Sequence, residues 1–220
     1  MNRPKRIAIT SAIFGVAVGL IVFTAMAFIR SSPPSVDFTA QPGKPVDLTI
    51  QTVGTIGFGG HPSWVSYLVK SPSGQWVHTT LWQLPAHTVV DVTLLQYDSG
   101  SPLRNQEVGS VSGVHNPDVN GSTFTLVDSY AGNGVAHTFS VPQLGINVPL
   151  YGVNGDAKNF CNAGPCTLAE AHNTVTFSFT TPGPGMYRWQ CFVPCGLGFV
   201  FGNGGPMQTV GFMGGFLEVM

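Results

Sequence analysis

Residues 187–207, YRWQCFVPCGLGFVFGNGGPM, set two thiols four positions apart, with a tyrosine and a tryptophan before them and a methionine after a glycine-rich stretch. Thiolates and thioethers are soft metal donors, and two thiols can instead oxidise to a disulfide. A disulfide needs Cα atoms roughly 4.4–6.8 Å apart, which Cys191 and Cys195 reach only if Phe192-Val193-Pro194 curls into a turn. The spacing therefore leaves both bonds open. No histidine lies between Cys191 and the C-terminus to complete a metal-binding loop locally.

The other two cysteines have a different setting. Cys161 and Cys166, in NFCNAGPCTL, flank an Asn-Ala-Gly-Pro turn inside a loop-like stretch, and a small local disulfide is expected there. His61, His78, His87 and His115 are scattered, without the short spacings of a zinc site. His172 opens the run 175–179 and is a reserve ligand if that strand approaches the cysteine loop. Neither a Ser-His-Asp set, nor a Gly-x-Ser-x-Gly elbow, nor a phosphate loop occurs, so a hydrolase has no support.

These residues need elements to hold them. Charged residues make up only 9% of the chain, against 43% hydrophobic, with 28 glycines and 17 prolines. That composition favours short strands and tight turns over charged amphipathic helices. VDLTI (46–50), VDVTL (90–94) and VTFSF (175–179) alternate apolar and polar residues, HTFSV (137–141) more weakly. TTPGPG (180–185) turns the chain, and MYRWQC returns with Tyr187, Trp189 and Cys191 on one face. GGFLEV (214–219) closes the pattern, and TLAEAH (167–172) is the one place where a single helical turn fits. The expectation is an all-β sandwich.

A different element precedes it. Ile7 to Ile29 is a run of 23 residues without a charge, about 35 Å long as a helix and enough to span a bilayer core. Arg3, Lys5 and Arg6 flank it on the N-terminal side, which places that end in the cytoplasm and the remainder outside. A cleaved signal peptide is the competing reading, since Ala25-Met26-Ala27 has a small-x-small form, although its core would be unusually long. The chain divides into a membrane anchor (1–30), a linker around SSPPS (31–36) and a β domain (37–220). Past residue 35 five basic residues stand against ten acidic ones, a formal charge of −5 that argues against nucleic acid as a partner.

Two stretches resemble the copper domain of cytochrome c oxidase subunit II, a cupredoxin. AHTFSVPQLGINVPL (136–150) is similar to the stretch where that family has a histidine ligand followed by Val-Pro-x-Leu-Gly-Ile. FTTPGPGMYRWQCFVPCG (179–196) is similar to its hairpin and Cys-x3-Cys loop. The resemblance implies a Greek-key cupredoxin sandwich in 37–220, with residues 51–130 as elaboration. It also implies that His137 matches the upstream ligand and that Cys191 and Cys195 match the bridging thiolates. Phe199 then stands where the family has a histidine and Gly202 where it has a methionine, which rules against a two-copper centre.

A mononuclear copper site is less demanding: thiolate and imidazole donors in a trigonal set, with a long axial sulfur. His137, Cys191 and Cys195 supply the first, and Met207 the second if FGNGG folds the chain back. The expected function is a membrane-anchored, extracytoplasmic copper protein in respiratory electron transfer, with respiratory-chain proteins as partners. The alternatives are a copper(I)-handling protein and a metal-free cupredoxin serving as a binding or structural module. Subunit II usually carries two membrane helices and this chain shows one. Tyr187, Trp189, Phe192 and Phe199 are read as core or rim aromatics.

Overall fold

In the computed structural model, residues 3–26, 32–40, 43–58, 61–196 and 205–220 are described. Helix α1 (Arg3–Thr24) carries the apolar run and begins within its basic flank, so Arg3, Lys5 and Arg6 lie in its first turns. None of its side chains is buried, and it is long and apolar enough to cross a membrane; a signal sequence would meet the same criterion.

Among the described residues, thirteen strands follow in two sheets. The first sheet runs in the order β1 (Ser35–Asp37), β5 (Leu81–Leu84), β13 (Gly214–Val219), β12 (Gly185–Gln190), β9 (Val135–Val141), β10 (Ile146–Tyr151). The second runs β4 (Trp76–Val77), β3 (Trp64–Lys70), β2 (Val46–Ile56), β6 (Val89–Gln96), β11 (Asn173–Thr180), β7 (His115–Val119), β8 (Ser122–Thr123). Both sheets are mixed, with β1 and β13 parallel to β5, and β2 parallel to β6. The all-β sandwich and the single apolar helix before it are thus both present.

The alternation read from the sequence points the core residues inward. Leu48 and Ile50 of β2, Val92 and Leu94 of β6, and Val175, Phe177 and Phe179 of β11 belong to one buried cluster. From the facing sheet it receives Trp82, Phe139 and Trp189. Trp82 and Trp189 stack with centroids 4.5 Å apart, and Phe139 lies 5.3 Å from Trp189. Offset stacking of this kind adds to the burial of the rings themselves. Gly215 sits where β13 meets Thr80, and a Cβ there would run into the Thr80 carbonyl, so only glycine permits the approach.

Two expectations change. TTPGPG does not close a hairpin, because β11 and β12 lie in different sheets and β12 pairs instead with β13, from Gly185↔Val219 to Gln190↔Gly214. Both strands have an inward apolar row, and placing them in opposing sheets buries Phe177, Phe179 and Trp189 in one core. Residues 51–130 are also more than elaboration, since β3 to β8 fall within them and build much of both sheets.

The second sheet has a covered outer face too. Val53, Leu68, Leu95 and Tyr97 form a separate cluster with Cys161 and Cys166, whose loop lies over them. This cover explains why alternation fails at Leu94-Leu95: both faces of β6 are dry at that point. TLAEAH forms a hydrogen-bonded turn and no helix, with the Thr167 backbone N–H and hydroxyl both donating to the Glu170 carboxylate.

Candidate metal centre

The site begins with period-2 geometry on β9. His137 shares the inward face with Val135 and Phe139 and is only 3% exposed. On the neighbouring strand Trp189 points inward, and Cys191, two residues on and just past the end of β12, does the same. Strands β9 and β12 pair at Gln190↔Ser140. Beyond that rung Thr138 continues the connection: its hydroxyl accepts the Phe192 N–H at 2.8 Å, and its own N–H points at Cys191 Sγ at 3.3 Å. The chain then curls through Val193 and Pro194 and brings Cys195 back beside Cys191.

The outcome is a tight, buried triangle. His137 Nδ1 lies 2.9 Å from Cys195 Sγ and 3.8 Å from Cys191 Sγ, and the two sulfurs are 3.2 Å apart. All three donor atoms fall within 4.8 Å of one another. Both thiols are free and buried. On the far side of the ring, His137 Nε2 faces Asp98 Oδ2 at 3.1 Å. The Met207 sulfur accepts the Cys195 backbone N–H at 3.4 Å, so it stands at the edge of the cysteine loop.

Burial alone would hold His137 neutral, but its hydrogen bonds to Asp98 and Cys191 and their negative charge override this and raise its pKa to about 9. Burial also works against a Cys191 thiolate. Hydrogen bonds from Cys195 and His137, the His137 charge and the Thr138 N–H prevail, and its pKa falls well below the usual thiol range. Cys195 moves well above that range, through burial and the neighbouring Cys191 and Asp98 charges. Although Cys195 is the sulfur nearer to Nδ1, the Thr138 N–H and the hydrogen bonds from Cys195 and His137 favour negative charge on Cys191, while burial and the Cys191 and Asp98 charges disfavour it on Cys195. The arrangement therefore favours positive charge on His137 and negative charge on Cys191 over Cys195.

A cavity of about 380 Å³ opens on one side of this triangle, lined among others by Asp98, Ser99, Trp64, His137, Pro194 and Cys195. Its lining includes His137 and Cys195 but not Cys191.

The remaining sequence candidates lie elsewhere. Cys161 and Cys166 are joined by a disulfide, with Cα atoms 6.3 Å apart. His172 packs against Tyr97, ring centroids 5.2 Å apart, away from the triangle. His61 and His78 border Phe58 and Phe212, and His87 and His115 are exposed. Phe199 and Gly202 lie outside the described residues. Tyr187 is a rim residue whose hydroxyl donates to the Gly183 carbonyl, and Trp189 is core. Asp98 was not legible as part of a site: its partner is 39 positions away, and YDSG reads only as the turn after a strand.

The donor set could hold a soft metal ion such as copper. Two thiols and an imidazole converge, a thioether stands at the loop edge, and a carboxylate backs the imidazole, as is usual for ligating histidines.

No protein-family model and no curated protein matches the chain. Among solved structures it is similar to rusticyanin, a copper protein, at 16% identity over 91% of this chain and 94% of that one, with a TM-score of 0.35. Rusticyanin from Thiobacillus ferrooxidans matches at 18% identity over 91% and 94% of the two chains, with a TM-score of 0.33. A chain of a heme-copper terminal oxidase dimer matches at 16% identity over 99% of this chain and 100% of that one, with a TM-score of 0.34.

Proposed function

We propose that this chain is a membrane-anchored, extracytoplasmic cupredoxin that holds a single copper ion between His137, Cys191 and Cys195, with Met207 as the distant sulfur, and that it passes electrons in a respiratory chain. The observation that carries this reading is the convergence of three donor atoms within 4.8 Å in a buried pocket. Copper bound there supplies a one-electron couple. The protein's own part is to hold the ligands in place before and after the electron moves. His137 and the β12 end of the cysteine loop are fixed by strand pairing, the Thr138 hydrogen bonds and the Trp189 core contacts, so little needs to rearrange. The respiratory setting rests on the likeness of residues 136–150 and 179–196 to subunit II.

The test is copper content, absorption and electron spin resonance of the full-length chain in detergent, purified under reducing conditions and then given copper. The expected result is about one copper per chain with a thiolate-to-copper absorption band, lost in Cys191→Ser and His137→Ala. Two coppers sharing an unpaired electron would overturn the mononuclear reading. Absence of binding would leave the metal-free module.

Copper(I) handling is a second reading, favoured by two thiols among three donors. It predicts that copper(I) is held tightly while no stable copper(II) form appears on oxidation. The electron-transfer reading requires both forms and a reversible potential.

A further inference from the structure

We propose that Asp98 is the positioning residue of this centre: its carboxylate fixes the His137 ring with Nδ1 toward the sulfurs, and a buried polar frame on the second sheet holds that carboxylate in place. The inference rests on the reading that His137 is a copper ligand.

Both carboxylate oxygens are engaged. Oδ2 faces His137 Nε2 at 3.1 Å, and Oδ1 accepts the Ser99 N–H at 2.9 Å. The backbone of Asp98 is gripped as well. Its N–H donates to Gln96 Oε1 at 3.2 Å, and its carbonyl accepts Gln96 Nε2 at 2.6 Å and the Val153 N–H at 3.0 Å. Gln96 thus folds over the two residues after it and caps the end of β6.

Gln96 is itself held by Thr52, whose hydroxyl donates to Gln96 Oε1 and accepts the Tyr97 N–H at 2.9 Å. Thr52 and Gln96 are both fully buried, on the inward face that continues Leu48 and Ile50 of β2 and Val92 and Leu94 of β6. A buried amide and hydroxyl cost free energy unless every group is paired, and here they pair with each other and with the Asp98 backbone. On the opposite face of β2, Gln51 accepts the Cys166 N–H at 2.7 Å and so ties the disulfide loop to the outside of the same sheet.

The geometry needs such a strut. A half-turn of the imidazole about χ2 would present a ring carbon to the cysteines in place of Nδ1. Tyr67, an edge-on ring at 6.1 Å, packs against the imidazole without choosing between its nitrogens. A hydrogen bond from Nε2 to a fixed carboxylate selects the ligating orientation and strengthens Nδ1 as a donor.

The experiment compares wild type with Asp98→Ala and Asp98→Asn as full-length chains. The first readout is independent of metal: the His137 Nε2 proton in nitrogen–proton NMR of the reduced, copper-free protein. In the wild type it is expected downfield and slow to exchange, in Asp98→Ala lost to exchange, and in Asp98→Asn retained but shifted upfield, because an amide oxygen accepts more weakly than a carboxylate. The second readout is copper affinity by competition with a copper(I) chelator, where Asp98→Ala is expected to weaken binding about 10- to 100-fold and Asp98→Asn to restore most of it. An unchanged Nε2 proton in Asp98→Ala overturns the proposal. If Asp98→Ala does not fold, an unchanged proton shift in Asp98→Asn does so. Absence of copper binding by the wild type would refute the copper reading, while the proton signal would still decide whether Asp98 positions the ring.

Discussion

The raised pKa values of His137 and Cys195 make copper uptake a proton-releasing reaction. The His137 pKa is raised to about 9 and that of Cys195 well above the usual thiol range, whereas that of Cys191 is lowered well below it. Binding to all three ligands must therefore expel the protons of His137 and Cys195. The sign follows: affinity rises with pH, by about tenfold per unit for each proton released. Below about pH 9 both protons count; above it only that of Cys195 remains, and the slope halves. Chelator competition across this range checks the expectation. Cys195→Ser should remove the proton contributed by that thiol, and a pH-independent affinity would show that Cys195 and His137 do not both bind.

At the scale of elements, β12 carries most of the burden. Its neighbour β13 fixes its register, and its inward Trp189 stacks on Trp82 and lies beside Tyr67, whose hydroxyl donates to the Thr138 carbonyl of β9. The aromatic stack thus joins the strand that leads to the cysteines to the strand that carries the histidine. Replacing Trp189 by alanine removes a fully buried ring and is expected to destabilise the domain by about 3–5 kcal/mol. Denaturant unfolding of the copper-free protein measures this. The same variant should bind copper more weakly, since Cys191 lies two residues beyond the lost contact.

On the proposed function, the whole molecule joins a redox domain to a membrane. Helix α1, at 22 residues, extends about 33 Å, enough for a bilayer core. The expected outcome for the full chain is a single-pass protein that resists extraction by salt and alkali, with its β domain open to protease from outside the cell. A mature N-terminus near Phe28 would show instead that the helix is a cleaved signal, leaving a soluble exported domain. The net charge of −5 past residue 35 keeps that domain compatible with a basic redox partner.

Local sequence determined the elements. Alternation marked β2, β6 and β11, the uncharged run marked α1, and the NFCNAGPCTL turn set Cys161 and Cys166 close enough to bond. These are decided within a few residues, where period, charge and chain reach act directly. β9 was fainter because its outward Thr138 and Ser140 are buried as well, so polarity no longer reports direction. Only the tertiary structure decided what meets what. It moved β12 out of a hairpin with β11 and into the sheet of β9 and β13, and that pairing is what brings Cys191 to His137 across 54 positions. It also supplied Asp98, which the sequence left as an ordinary turn residue. A contact between distant positions is set by burial of a shared core, and no local pattern encodes it.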